Sequence, residues 1–265
     1  MSSLFHDLRV AEVGDAIDLI RRFSPKARDV LEIGAGRGWQ AKALSEAGYK
    51  VDAIDLPSSS AISGHALARE WPIRDYDGVH IPFPDQSFDV IYSSNVLEHV
   101  ERLDALTDDM TRVLRPGGIA LHLVPNPQWR VLSLLAYYPG QAVDLAGYLG
   151  RRLRRRAADG PAKSSSNVSD AKRQGTLAKM GRRLLPSAHG ATGSALGEIG
   201  RFSKQTWDRF FMRKGWSVLH YGNNGITASG SYLLGSALPL KLRRGIGRAT
   251  GGIAHVYVVR PKRNG

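Results

Sequence analysis

The 265-residue chain contains no cysteine. That excludes a disulfide framework, a thiolate-bound zinc site and a cysteine nucleophile. Long hydrophobic runs are also missing: no stretch reaches the ~20 unbroken apolar residues of a membrane-crossing helix. Met1–Asp7 lacks the basic segment and apolar run of a secretory signal. These absences lead to the expectation of a cytoplasmic protein. No grouping of His, Asp and Glu has metal-ligand spacing, so no metal is expected. With 42% hydrophobic residues, the chain is long enough to bury one sizeable core.

Acidic residues are scarce in one half only. Residues 1–127 hold 13 Lys/Arg and 19 Asp/Glu, whereas residues 128–265 hold 24 and 5. The net charge of +13 therefore comes from the second half, which suggests a partner of negative charge.

The first half carries the informative motif. Val30-Leu31-Glu32-Ile33-Gly34-Ala35-Gly36-Arg37-Gly38 reads as a buried strand, a glycine turn and a helix start. Without Cβ, such a turn bends sharply and lets a ligand approach the backbone amides. The helix after it offers unpaired N–H groups. Asp55 ends a second strand-like run, Tyr49–Leu56, where a carboxylate can accept two hydrogen bonds from a ribose. A dinucleotide-binding turn would place a third glycine at position 39, and Trp39 stands there instead.

The spacing Glu32-x-Gly34-x-Gly36-x-Gly38 resembles the first motif of class I S-adenosylmethionine-dependent methyltransferases. Further segments continue the resemblance in order. Asp55 falls at the ribose-binding acid, followed by Leu56. Asp77-Gly78-Val79-His80-Ile81-Pro82-Phe83-Pro84-Asp85 resembles the adenine-holding segment, with Asp77 near the exocyclic amine. Ser87–Tyr92 is similar to the fourth strand, and Ser94 lies beside the methionine portion. Asn95-Val96-Leu97-Glu98-His99-Val100 resembles the helix start beside the methyl group, as in small-molecule and quinone O-methyltransferases. Leu114–Leu121 is similar to the turn into strand five. The resemblance covers about Asp29 to Pro125 and implies S-adenosylmethionine as cofactor. It implies Glu32, Gly34, Gly36, Gly38, Asp55, Leu56, Asp77, Gly78 and Ser94 as cofactor-binding residues.

The pattern along the chain fits an α/β fold. Ala11–Phe23 has helical spacing and is expected to cover one edge of the sheet. Strand and helix patterns then alternate: Asp29–Ile33, Arg37–Ala47, Lys50–Asp55, Ser59–Glu70, Asp89–Tyr92, Leu103–Leu114, Ile119–Val124. Such alternation implies parallel strands with crossover helices. A Ser203-capped helix with Trp207, Phe210 and Phe211 inward follows later, then strands Gly215–Tyr221 and His255–Arg260. In the resembled family these last two pair antiparallel. The expectation is a Rossmann-like, doubly wound sheet of seven mostly parallel strands with an antiparallel last strand. One methyltransferase domain is expected over 1–265. It comprises an N-terminal helix (1–24), the cofactor-binding core (25–127), a basic, partly flexible insertion (128–200), and a closing helix and strands (201–265).

The insertion joins an apolar, aromatic stretch, Gln128–Leu149, to Arg151-Arg152-Leu153-Arg154-Arg155-Arg156. One reading is docking of 129–156 on an anionic membrane surface. Leu233–Leu240, followed by Lys241, Arg243 and Arg244, is a second such segment. A solvated substrate lid and a phosphate-binding surface for nucleic acid are the other readings. The last ranks lower, because Arg151–Arg183 holds no stacking aromatic.

A hydroxyl nucleophile would need a base, and His99 is the candidate catalytic residue. His122, inside strand five, reads as a core or edge histidine; His189 and His220 border the insertion. The expected function is methyl transfer to a hydroxyl of a small, lipid or lipid-linked acceptor. The enzyme would be cytoplasmic and peripheral at the inner membrane face. RNA methylation and a non-catalytic, cofactor-binding partner role are the alternatives.

Overall fold

The computed structural model describes residues 2–57, 69–134, 197–227 and 238–262. Helix α1 (Ser2–Phe23) leads into strand β1 (Asp29–Ile33), helix α2 (Trp39–Glu46) and strand β2 (Lys50–Asp55). Short β3 (Arg74–Asp75), β4 (Phe88–Ser94), a 3-10 turn (Leu97–His99), α3 (Leu103–Val113) and β5 (Leu114–Pro125) follow. Residues 127–134 are helical. After them come α4 (Gly197–Arg201), α5 (Lys204–Arg213), β6 (Trp216–Asn223), α6 (Leu240–Thr250) and β7 (Ala254–Pro261).

The seven strands form one sheet in the order β3-β2-β1-β4-β5-β7-β6. Strands β1 to β5 pair in parallel, and β7 runs antiparallel to both β5 and β6. This is the expected Rossmann-like sheet with its reversed last strand. The pleat sorts apolar side chains by parity. Val30, Val90, Tyr92, Ile119, Leu121, Leu123, Val256 and Val258 pack with Val13, Ala16, Ile17 and Ile20 of α1 and Leu44 of α2. Leu31, Ile33, Ile91, Ala120, Val124, Tyr257 and Val259 pack on the other face with Leu106 and Met110 of α3 and Trp207 and Phe211 of α5. Both faces are buried, which explains the near-continuous apolar strands.

Several expectations need correction. Helix α1 covers a face of the sheet, not an edge, because its apolar positions repeat at 13, 16, 17 and 20. Helix α2 begins at Trp39, since Gly38 is left-handed at φ 81 and cannot join it. The helix expected over Ser59–Glu70 falls mostly outside the described residues, and 69–70 are not helical. Helix α6 was not foreseen; Gly245 and Gly247 weaken its helical signal. Most of the insertion, with Arg151–Arg156 and His189, lies outside the described residues. Among the described residues, no helix is long and apolar enough to cross a membrane.

Candidate active site

In a doubly wound sheet the ligand crevice opens at the carboxyl edge where strand order reverses, here between β1 and β4. The glycine turn leaves β1 at that edge. Gly34, Gly36 and Gly38 all have positive φ, at 76, 58 and 81°. Their surroundings differ. A Cβ on Gly34 would lie 2.2 Å from Val96 Cγ2, and one on Gly38 would lie 2.5 Å from Trp71 Cβ. Among the described residues, a Cβ on Gly36 would meet nothing within 4 Å. Gly34 and Gly38 thus let the protein pack on itself, whereas Gly36 faces open space.

The Asp55 carboxylate closes this turn. Its Oδ2 accepts from Gly36 N–H at 2.6 Å, and its Oδ1 from Leu56 N–H at 2.7 Å. Gly34 N–H also donates to Ile54 C=O at 2.8 Å. The acid is buried, while Leu56 beside it is 40% exposed. The next segment joins here: Tyr76 N–H donates to Asp55 C=O, and Gly78 sits against Leu56, its added Cβ 3.2 Å from Cδ2. Asp77 caps that loop. Its Oδ1 accepts from the amides of Val79 and His80, and its Oδ2 lies 2.6 Å from His80 Nδ1. These bonds hold its carboxyl below the usual carboxylate range.

Trp39, standing where a dinucleotide site has glycine, turns outward. Its Nε1–H donates to Glu70 at 2.7 Å, and the Arg37 guanidinium lies 4.8 Å from its ring centre. The bulky ring clamps the start of α2 to the segment after β2.

Beneath the turn lies a buried polar network drawn from distant parts of the chain. Arg9 donates to Glu12 at 2.9 Å and to Ser94 Oγ at 2.8 Å. Asn224 Nδ2 donates to the other Glu12 oxygen at 3.1 Å, while Asn224 Oδ1 accepts from the amides of Ile226, Ile253 and Ala254. Gln40 links Tyr92 OH and Arg9 C=O. Glu32 is buried there, and among the described residues its Oε2 has no hydrogen-bond partner. Burial pushes its carboxyl up to about 8, with the nearby Asp55 charge adding to the shift. Arg9, Glu12, Gln40 and Asn224 were not singled out from sequence. The i, i+3 spacing of Arg9 and Glu12 was available, but nothing local shows that their partners are Ser94 and Asn224.

At the end of β4, Asn95 takes a positive φ of 53° and turns the chain into the 3-10 segment. Glu98 points inward. Among the described residues neither of its oxygens has a hydrogen-bond partner, and burial pushes its carboxyl up to about 8. His99 points outward, 42% exposed at its side chain, with Nε2 3.8 Å from Glu98 Oε1. Partial burial lowers its pKa, opposed by Glu198, which itself pairs with Arg130 at 3.0 Å in the interior. His122 is a core histidine as expected. It is buried on Ser93 Oγ at 2.8 Å and stacked on Phe211, and burial alone lowers it to about 3. His220 packs against Phe23 on the α1 side of the sheet.

The structure thus brings Glu32, Gly34, Gly36, Gly38, Asp55, Leu56, Gly78 and Ser94 to one edge, with Asp77 in the adjoining loop. His99 lies just beyond the Asn95 turn. Three features fit an adenosyl cofactor bearing an amino-acid tail: the open side of Gly36, the exposed Leu56 for a base, and the unpartnered Glu32 oxygen. Among the described residues, no group of three or more His, Asp or Glu could hold a metal ion.

Residues 31–122 match the family model described as a methyltransferase domain. An uncharacterized methyltransferase of Mycolicibacterium vanbaalenii is 34% identical over 148 residues, 55% of this chain and 55% of that protein. A probable S-adenosylmethionine-dependent methyltransferase of Mycolicibacterium smegmatis is 30% identical over 126 residues, 48% of this chain and 46% of that protein. The chain spans about half the length of the curated relatives it matches. The crystal structure of the [4+2]-cyclase SpnF shares the fold, with a TM-score of 0.50 at 11% identity over 94% of this chain and 81% of that one. Over residues 31–122 this chain is therefore similar to a methyltransferase domain, on a sheet of the same fold as SpnF. S-adenosylmethionine is the cofactor in the name of the Mycolicibacterium smegmatis relative.

Proposed function

We propose that this chain binds S-adenosylmethionine at the carboxyl edge of β1, β2 and β4. In this reading it transfers the methyl group to a hydroxyl of a small, lipid or lipid-linked acceptor. The observation that carries the reading is the Asp55 carboxylate, pinned by the Gly36 and Leu56 amides beside a glycine whose side-chain direction is open.

Each residue has a part in that reading. Asp55 accepts from the ribose hydroxyls with the lone pairs its amide bonds leave. Gly34, Gly36 and Gly38 shape the turn that passes under the ligand. Leu56 and Gly78 flank the base, and Asp77 faces its exocyclic amine. Glu32 and Ser94 lie at the amino-acid end, where Glu32 Oε2 takes an ammonium hydrogen. When bound, the cofactor supplies a sulfonium methyl already activated toward nucleophiles. The protein's own share is alignment, exclusion of water and handling of one proton. His99, kept neutral near pH 7 by partial burial, accepts the acceptor's hydroxyl proton. Its Nε2 lies toward Glu98. The basic second half suits a cytoplasmic enzyme working at the inner face of a membrane.

Calorimetry with S-adenosylmethionine tests the first layer. Binding that Asp55→Ala abolishes is expected; no binding, or binding indifferent to that change, refutes it. Incubation of labelled cofactor with lipid and RNA extracts tests the second. Label in the lipid fraction is expected, and label in RNA alone would overturn the acceptor.

A further inference from the structure

Helix α6 is built inside out. Its buried positions are Arg243 and Gly247. A Cβ on Gly247 would lie 2.3 Å from Gly225 C=O oxygen, so the helix backbone presses directly onto the 225–226 loop. Arg243 is buried, donating from Nε to Leu238 C=O at 2.9 Å and from a terminal nitrogen to Thr227 C=O at 3.4 Å. Arg244 crosses to α1, reaching Asp15 at 3.2 Å and Ala11 C=O at 3.2 Å. Two of the three cations expected to meet a membrane after Leu240 are therefore held by the protein itself.

The apolar residues lie on the other side. Leu242 is 50% and Ile246 39% exposed, and Gly245 and Ala249 complete an outward stripe at i, i+3, i+4 and i+7. Lys241 and Arg248, both exposed, are seven residues apart. At about 100° per residue they fall within roughly 20° of each other along one flank of the stripe. The helix has no acidic residue.

We propose that this outer face, with Leu242 and Ile246 as apolar contacts and Lys241 and Arg248 as cations, docks the protein on an anionic lipid surface. A helix facing water would normally show the reverse arrangement. An apolar stripe flanked by long cationic side chains suits an interface: the stripe enters the acyl boundary while the charged tips reach lipid phosphates. Position supports the same occupant. Gln128 Nε2 donates to Thr250 C=O at 2.7 Å at the end of α6, and Asn126 donates to Gly252 C=O at 3.1 Å. One turn beyond Gln128, the helix over 127–134 exposes Val131 and Leu132. The surface thus adjoins the carboxyl end of β5, beside the candidate site, which suits an acceptor drawn from a bilayer. An RNA surface would call for stacking aromatics, and α6 has none. The inference deepens the membrane-surface reading and is independent of methyl transfer.

The test is sedimentation of the full chain with vesicles of phosphatidylcholine alone or with about one-third phosphatidylglycerol, at low and high salt. Thermal melts serve as the folding control, and cofactor calorimetry reports separately on the methyltransferase reading. Binding to the anionic vesicles alone is expected. The pairs Leu242→Asp/Ile246→Asp and Lys241→Glu/Arg248→Glu should each lower partitioning about tenfold or more with unchanged melting. No binding of the wild type, or equal binding by either folded pair, overturns the proposal. So does a dimer that the aspartate pair splits, which would make a second copy the occupant. RNA retention lost only in the glutamate pair, with vesicle binding kept, overturns it in favour of nucleic acid.

Discussion

Gly36 donates its backbone N–H to the Asp55 carboxylate across 2.6 Å, joining two strands' ends that lie 19 residues apart. The bond ties the shape of the glycine turn to the position of the acid. Asp55→Ala should therefore harm the site twice, by removing a ligand acceptor and by freeing the turn. Hydrogen bonds to a charged group contribute roughly 1.5–3 kcal/mol each, so affinity for S-adenosylmethionine should fall on the order of 100-fold or more. Asp55→Asn keeps one acceptor and should lose less. Equal affinity of the alanine variant and wild type in calorimetry would contradict the assignment.

The three glycines should respond differently to alanine. Gly34→Ala drives a methyl into Val96, and Gly38→Ala drives one into Trp71 Cβ, so both should lose roughly 1–3 kcal/mol of stability on top of the left-handed strain that all three positions share. Gly36→Ala meets open space and carries only the left-handed strain of about 1–2 kcal/mol. Its main effect should be weaker cofactor binding. Melting curves and calorimetry on the three variants separate these outcomes, and a uniform loss of stability would contradict them.

Glu98 gives a pH signature. Its carboxyl ionises near its ordinary value of 4.5 when unfolded but only at about 8 in the folded protein. Between those values the folded state binds the extra proton, so this group makes the protein less stable as pH rises from 4.5 to about 8. Glu98→Gln removes that penalty. The variant should gain on wild type by on the order of 2–4 kcal/mol at pH 8, and the gain should shrink toward pH 5. Urea melts at the two pH values test this; a gain independent of pH would rule out the buried-acid account.

His99 should govern the acid limb of activity. Burial lowers its pKa from the ordinary 6.5, so the base form is already present at neutral pH and is lost only as pH falls further. For a hydroxyl acceptor, kcat/KM should drop below that lowered value. His99→Asn should cost roughly 100- to 10,000-fold and flatten the limb, with cofactor affinity kept. A pH–rate profile unchanged in shape in the variant would assign the proton to another group.

How much was readable in advance follows from where each interaction sits along the chain. Strands β1 and β2 were expected over Asp29–Ile33 and Lys50–Asp55, and both form there. Their signal is local: short apolar runs, bounded by glycine and ending in an acid. Helix α1 was placed at the edge because spacing shows that a helix has an apolar side, not what that side will meet. Glu98 lies within the Asn95–Val100 segment, but its burial is invisible in a string of letters. Helix α6 was missed because it holds two glycines, weak helix formers, and one of them, Gly247, is there for close packing on Gly225, a tertiary reason.

By itself, then, the sequence determined the strand–turn–acid unit and the alternation that makes a parallel sheet. These depend on positive-φ glycines, short-range periodicity and the order of segments along the chain. Only the tertiary structure decided that Glu12 meets Asn224, 212 residues away, and that Arg243 points inward while Leu242 and Ile246 face out. The physical reason is that burial and partner choice belong to surfaces brought together by the whole fold. A residue's type limits what it can do there; its neighbours in space settle which of those things it does.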